Sequence, residues 1–174
     1  MTTPTVRQLD TLGERHLHGL AEVLLDCVEG GASVGFMHPL SRERALVFWR
    51  GVAEGVALGE RALLVAEDTA GAIVGTVQVV LVQPDNQRHR ADIAKMLAHR
   101  RARRHGLGAL LIRAAEQLAG QQRKTLLVLD TASDTAERLY ERQGWQRCGV
   151  IPGFALLPQG GLCGTTIFFK PLLI

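Results

Sequence analysis

The chain is poor in cysteine. Cys27, Cys148 and Cys163 are odd in number and form no C-x-x-C pair, which excludes a secreted disulfide framework and a thiolate metal site and points to a reducing, cytoplasmic setting. No basic segment followed by an apolar stretch comes after Met1, and apolar runs such as Ile73 to Val82 are broken by Gly, Thr and Gln, so neither a signal peptide nor a membrane span is expected. Excess charge of one sign is also missing: 20 Lys and Arg against 17 Asp and Glu leave only +3. Aromatics make up 5% of the 174 residues, none is interleaved with the basic cluster Arg100 to Arg104, and no helix-turn-helix is apparent, so no nucleic-acid partner is expected. His16 and His18, two apart on a helix, point to different faces and make no metal pair; no metal site is expected.

Present instead is a 47% apolar, 21% charged composition, enough for 174 residues to bury a core without staples and to exclude intrinsic disorder. One domain over residues 1–174 is the expectation. Leu17, Leu20, Ala21, Leu24, Cys27 and Val28 repeat at helical spacing up to Gly30-Gly31, and Ala45, Phe48, Trp49, Val52 and Val56 do so behind a Ser41 N-cap. The intervening Gly31 to Pro39 mixes turn formers with Phe36 and Met37, a loop with something to bury, and so a candidate ligand wall that includes His38. Arg61 to Asp68 and Ala72 to Gln83 read as a hairpin, Ala91 to Ala98 as a third strand, and Leu107 to Leu118 as a helix. Lys124 to Thr131 reads as a strand, Asp134 to Gln143 as a helix and Thr165 to Phe169 as a last strand. The order β-α-α-β-β-β-α-β-α-β-β predicts an α/β fold: a mixed, mostly antiparallel sheet with helices on both faces.

Chemistry concentrates in Arg103-Arg104-His105-Gly106-Leu107-Gly108, which follows a strand and opens a helix. Glycines there let consecutive N–H groups converge where the helix dipole favours negative charge, so a phosphate or pyrophosphate belongs at that point. Arg100, Arg101, Arg103 and Arg104 crowd the same loop and add positive potential. The string G-x-x-x-x-G-K-[ST] is absent, and the third glycine of a dinucleotide fingerprint is replaced by Leu111. No G-x-S-x-G elbow exists, and Cys148 has no His or Asp beside it to make a nucleophile.

The loop matches Q/R-x-x-G-x-G/A, the signature of the GCN5-related N-acetyltransferases (GNAT), and the chain resembles that family over essentially its whole length. Ala136, Tyr140, Gly144 and Trp145 follow in the order the family shows after the strand ending at Asp130. Gly30 to Met37, Leu129-Asp130-Thr131 and Thr165 to Lys170 are similar to the tabtoxin-resistance branch. The usual Pro before the signature and Asn before the second helix are replaced by Arg100 and Ser133.

The resemblance implies a GNAT fold with a central splay and acetyl-CoA as cosubstrate. Met96, Leu97 and Ala98 would offer backbone hydrogen bonds to the pantetheine arm, and Arg103, Arg104, His105, Gly106, Leu107, Gly108 and Ala109 would cradle the pyrophosphate. Ser133 would stand in for the missing Asn or cap its helix. Tyr140, the only tyrosine, falls where the family keeps the acid that protonates the leaving thiolate; its ordinary alternative is a packed helix-face aromatic. An alkyl amine with a pKa of about 10 needs a base. Asp92 and Asp130 are the candidates, against an ion pair with Arg90 or Lys95 for Asp92 and a turn or cap role for Asp130. The implied acceptor is a small-molecule amine, of the antibiotic or toxin kind found in resistance enzymes, with homodimer pairing through sheet edges. Alternatives are protein Nα- or lysine acetylation and a non-catalytic acyl-CoA-binding module.

Overall fold

A computed structural model describes residues 4–173. Its elements follow the expected order: β1 (Thr5–Leu9), α1 (Glu14–Glu29), α2 (Arg42–Ala57), β2 (Arg61–Glu67), β3 (Ile73–Val80), β4 (Arg90–Ala98), α3 (Leu107–Gln121), β5 (Leu126–Thr131), α4 (Asp134–Arg142), β6 (Gln146–Leu156) and β7 (Leu162–Pro171). The strands form one sheet in the order β1-β2-β3-β4-β5-β7-β6, with β4 and β5 parallel and every other neighbour antiparallel. That single parallel pair is what a β-α-β crossover through α3 produces.

Local chemistry sets the turns. Ser41 Oγ accepts the Arg44 N–H at 3.2 Å and starts α2 as expected. Asp68 Oδ1 accepts the N–H groups of Ala70 and Ala72, at 3.0 and 2.9 Å, and so closes the β2–β3 turn. β3 stops at Val80, three residues before the expected Gln83, because the N–H groups of Leu81 and Val82 both turn to the carbonyl of Glu60. β7 starts at Leu162 rather than Thr165 because its first residues pair with the far end of β6. β6 has no clean period of two in the sequence, since Gly149, Pro152 and Gly153 sit inside it and its register shifts twice.

Helices cover both faces of the sheet over its central strands. α1 and α2 bury Leu20, Leu24 and Trp49 against Leu63, Val65 and Leu97, while α3 and α4 bury Leu107, Leu111, Ile112 and Tyr140 against Val77, Leu127 and Phe168. Each large apolar side chain so enclosed contributes about 1.5–3 kcal/mol. Among the described residues, no helix is long and apolar enough to cross a membrane.

Candidate active site

The site begins where two strands part. β4 and β5 pair in register only at Arg90–Leu126, Ala91–Leu127 and Asp92–Val128. Beyond Asp92 the strands diverge, and the rest of β4 keeps partners only on β3, while Leu129, Asp130 and Thr131 of β5 pair only with β7. A cleft therefore opens through the middle of the sheet, edged by Met96, Leu97 and Ala98 on one side and Asp130 on the other.

A bulge in β4 decides what points into the cleft. Lys95 and Met96 together stand opposite the single residue Val77, and Lys95 takes a left-handed φ of 47°. One extra residue reverses the alternation of side chains along the strand. Met96 is thereby sent to the α3–α4 face, where its sulfur is 3.8 Å from the Tyr140 hydroxyl. Lys95 is sent to the α2 face, with its ammonium 5.9 Å from the centroid of the Phe48 ring.

Tyr140 is 4% exposed, packed at a tilt against Trp145 and Phe168, and its hydroxyl meets only the weakly accepting Met96 sulfur. Burial, then the negative charge of Asp130, push its pKa far above the usual phenol value, so the hydroxyl keeps its proton at neutral pH. Asp130 alternates with buried Leu127 and Leu129, which puts its carboxylate on the opposite face from theirs, and it accepts the Thr165 hydroxyl at 2.7 Å. Asp92 lies before the splay, where Arg90 pairs with its carboxylate and Gln83 Nε2 donates to it at 3.1 Å. The structure thus brings Tyr140, Asp130 and Lys95 to the cleft and engages Asp92 at its closed end.

The loop before α3 is a bed of unpaired donors. Gly106, at φ 77°, is the N-cap of α3, and the first helical acceptor is its own carbonyl, which takes the Leu110 N–H at 3.1 Å. Among the described residues, the N–H groups of Arg104, His105, Gly106, Leu107, Gly108 and Ala109 find no acceptor. Six such donors at a helix start suit a dianionic group such as pyrophosphate. A Cβ on Gly108 would sit 2.7 Å from Leu139 Cδ2 and 4.0 Å from Met96 Cε, so this glycine lets α3, α4 and the bulge come together.

The arginines behave otherwise than the charge cluster suggests. Arg100 is tied to Asp26 and Glu29 of α1, both at 2.9 Å, and Arg101 pairs with Asp68 at 3.4 Å. Arg103 donates Nε to the Ala98 carbonyl at 2.9 Å, which takes that acceptor away from the cleft edge. Arg104 remains, exposed and left-handed at φ 67°. Ser133 is the N-cap of α4, its Oγ accepting the Ala136 N–H at 3.3 Å. The loop between α1 and α2 forms a wall over the α2 face, where Phe36 packs edge-on against Phe48 and Cys163 of β7 lies 3.6 Å from Ser33 Oγ. His38 lies instead beside Asp26 and His99 in a separate surface cavity of about 430 Å³.

Sequence reading misses Lys95 as a site residue, because strict alternation along β4 assigns it to the other face. Its one readable signal is a lysine in the strand interior, between Ala94 and Met96.

A model of the "Acetyltransferase (GNAT) family" matches residues 18–145. An N-acetyltransferase of uncharacterised role, encoded in the hisH-hisA intergenic region of Azospirillum brasilense, is 34% identical over 132 residues, spanning 75% of this chain and 76% of that one. Among solved structures, a phosphinothricin acetyltransferase from Sinorhizobium meliloti in complex with acetyl-CoA superposes with a TM-score of 0.81 at 17% identity, covering 98% of this chain and 89% of that one. A ribosomal-protein-alanine N-acetyltransferase from Brucella melitensis superposes with a TM-score of 0.80 at 21% identity, over 97% and 99% of the two chains.

Proposed function

The chain belongs to the acetyltransferase (GNAT) family, and from that premise we propose an acetyl-CoA-dependent N-acetyltransferase, one domain over residues 1–174, whose acceptor is the amine of a small molecule. The observation that carries this reading is the run of six unpaired N–H groups from Arg104 to Ala109, next to a cleft that holds one neutral phenol and one carboxylate, which accepts the Thr165 hydroxyl. The amides, with Gly106 and Gly108 shaping them, hold the pyrophosphate. Met96 and Leu97 flank the pantetheine arm, and Ala98 joins them only through groups that Arg103 leaves open. Arg103 supports the cradle from behind, Arg104 and His105 serve through their backbone, and Ser133 acts by capping α4.

In the mechanism, Asp130 takes a proton from the acceptor's ammonium, either directly or through one water. The free amine then attacks the acetyl carbonyl carbon, and the carbon–sulfur bond breaks. Tyr140 gives its proton to the departing sulfur, the attacking nitrogen sheds its extra proton through water to reprotonate the phenolate, and Asp130 returns the first proton to solvent. Acetylamine, free thiol and one proton are the products. Asp92, held by Arg90 and Gln83, is the second carboxylate of the face and positions the closed end of the cleft.

The acceptor reading extends to a toxin or antibiotic amine of the resistance type, supported by the likeness of Gly30 to Met37 and Thr165 to Lys170 to that branch and by the fold shared with a phosphinothricin acetyltransferase. A cytoplasmic setting suits the three free cysteines. A second copy pairs along β6, an edge strand that leaves Val150, Ile151, Phe154 and Leu156 exposed.

The test is a mass-spectrometric screen of small amines and of peptides with acetyl-CoA. Acetylation of small amines is the expected result. Acetylation confined to peptide N termini or lysines would establish protein acetylation instead, and no transfer to any amine would leave only an acyl-CoA-binding module.

A further inference from the structure

Among the described residues, one cation in the cleft has no hydrogen-bonding or ionic partner. Lys95 is half-buried, and among the described residues its ammonium makes no hydrogen bond and no salt bridge. Around it lie the Phe48 ring on α2 and Gly35 of the α1–α2 loop, whose added Cβ would lie 3.5 Å from Nζ, and on the other side of the splay β5 carries Asp130 on the face opposite Leu127 and Leu129. Burial pulls the lysine's pKa down while the negative charge of Asp130 supports it, so the two side chains feel each other. They nonetheless stand apart, and Asp130 takes its hydrogen bond from Thr165 instead. Opposite charges on the two strands that flank the splay, with no ion pair between them, leave room for a ligand that carries both.

The backbone shows that this placement is built. Lys95 adopts φ 47°, an uncommon conformation for a residue with a side chain, at the bulge that turns it to the α2 face. Without the bulge the strand would continue its ladder to β3 and the ammonium would point into the apolar α3–α4 layer. Gly35, at φ 89°, keeps the wall opposite the ammonium low.

We propose that Lys95 anchors an anionic group of the acceptor, so that the substrates of this enzyme are small amines that also bear a carboxylate. This deepens the acetyltransferase reading and rests on it. Lys95 donates to the acceptor carboxylate while Asp130 receives the ammonium, and the bridging zwitterion presents its nitrogen beside Tyr140 and Met96. Phe36 and Phe48 cover the remaining, apolar part of the acceptor.

The experiment compares α- and β-amino acids with their own carboxamides as acceptors, at saturating acetyl-CoA, by following thiol release. The wild type is expected to favour the acids by at least about tenfold in kcat/KM, the worth of one hydrogen bond between charged groups. In Lys95→Met that preference falls to near unity, chiefly through a higher KM for the acids, and Lys95→Arg restores part of it. The preference is a ratio taken within one preparation, so a variant that is partly unfolded does not move it. Equal use of acids and amides by the wild type, or a preference that survives in Lys95→Met, overturns the anchor and leaves the acetyltransferase reading standing. Failure to acetylate any member of either set, with acetyl-CoA binding intact by calorimetry, also overturns the anchor, and the acetyltransferase reading then stands or falls on the wider screen of amines and peptides.

Discussion

Replacing Tyr140 by phenylalanine removes one hydroxyl and leaves the ring between Trp145 and Phe168. Turnover is expected to fall by roughly ten- to ten-thousandfold, the range for losing a general acid, with the acetyl-CoA dissociation constant unchanged. Single-turnover kinetics check this, and wild-type rates would make Tyr140 a core aromatic. The same variant has a stability signature. Burial raises the folded pKa of Tyr140, so its contribution is fully present below the unfolded value of about 10 and is lost as pH rises beyond it. Tyr140→Phe should therefore lose less stability than the wild type between neutral pH and strongly alkaline pH, measured by urea midpoints.

For Asp130→Asn the two roles of a carboxylate separate by pH. A base gives a rate that rises through one ionisation which the variant lacks, whereas an ammonium-binding group chiefly raises the acceptor's KM. Asp92→Asn, by contrast, should change kcat/KM little, because its carboxylate already serves Arg90 and Gln83. Tyr140 and Asp130 are legible in the sequence because each is exceptional where it stands: the only tyrosine, and a charge closing a run of Leu and Val. Lys95 is not legible, since its role depends on a one-residue bulge that no periodicity announces.

At the scale of elements, the loop that opens α3 and the helix α4 meet at Gly108 and Leu139. Gly108→Trp has no room beside Leu139 and should abolish acetyl-CoA binding, measured by calorimetry; binding equal to the wild type would remove the loop from the site. Ser133→Ala loses the α4 cap and should lower stability by about 1 kcal/mol, read from a chemical denaturation curve. The helices and the first hairpin were readable because their caps and turns are local, as at Ser41 and Asp68. The arginine cluster was not, because Asp26, Glu29 and Asp68, which hold Arg100 and Arg101, are distant in sequence. That clamp has its own pH dependence. Burial pushes Asp26 up, yet the N–H and guanidinium of Arg100 together with His99 outweigh it and hold the carboxyl below its usual range. Its stabilisation is complete above about pH 4 and is lost as pH falls through the lowered value. Asp26→Asn should therefore flatten the acid limb of stability against pH.

The whole molecule is a twisted sheet divided at its one parallel pair, and the division is what makes a cleft. The sequence order of elements implies such a sheet, but the extent of the gap follows from β4 and β5 keeping only three residue pairs before diverging. At the far edge, β6 presents exposed apolar residues on an uncovered strand, an arrangement that invites pairing with a second copy. Sedimentation equilibrium should give twice the 18.9 kDa chain mass, and Phe154→Glu should return it to one chain. A monomeric wild type would leave β6 as an exposed edge.

The most direct test of the central claim, that the cleft and the amide bed of α3 together take acetyl-CoA, is a calorimetric titration of the metal-free protein. One site per chain with low-micromolar to sub-millimolar affinity is expected, and no binding by Gly108→Trp. No heat of binding from the folded wild type, or identical isotherms for the two proteins, would contradict it.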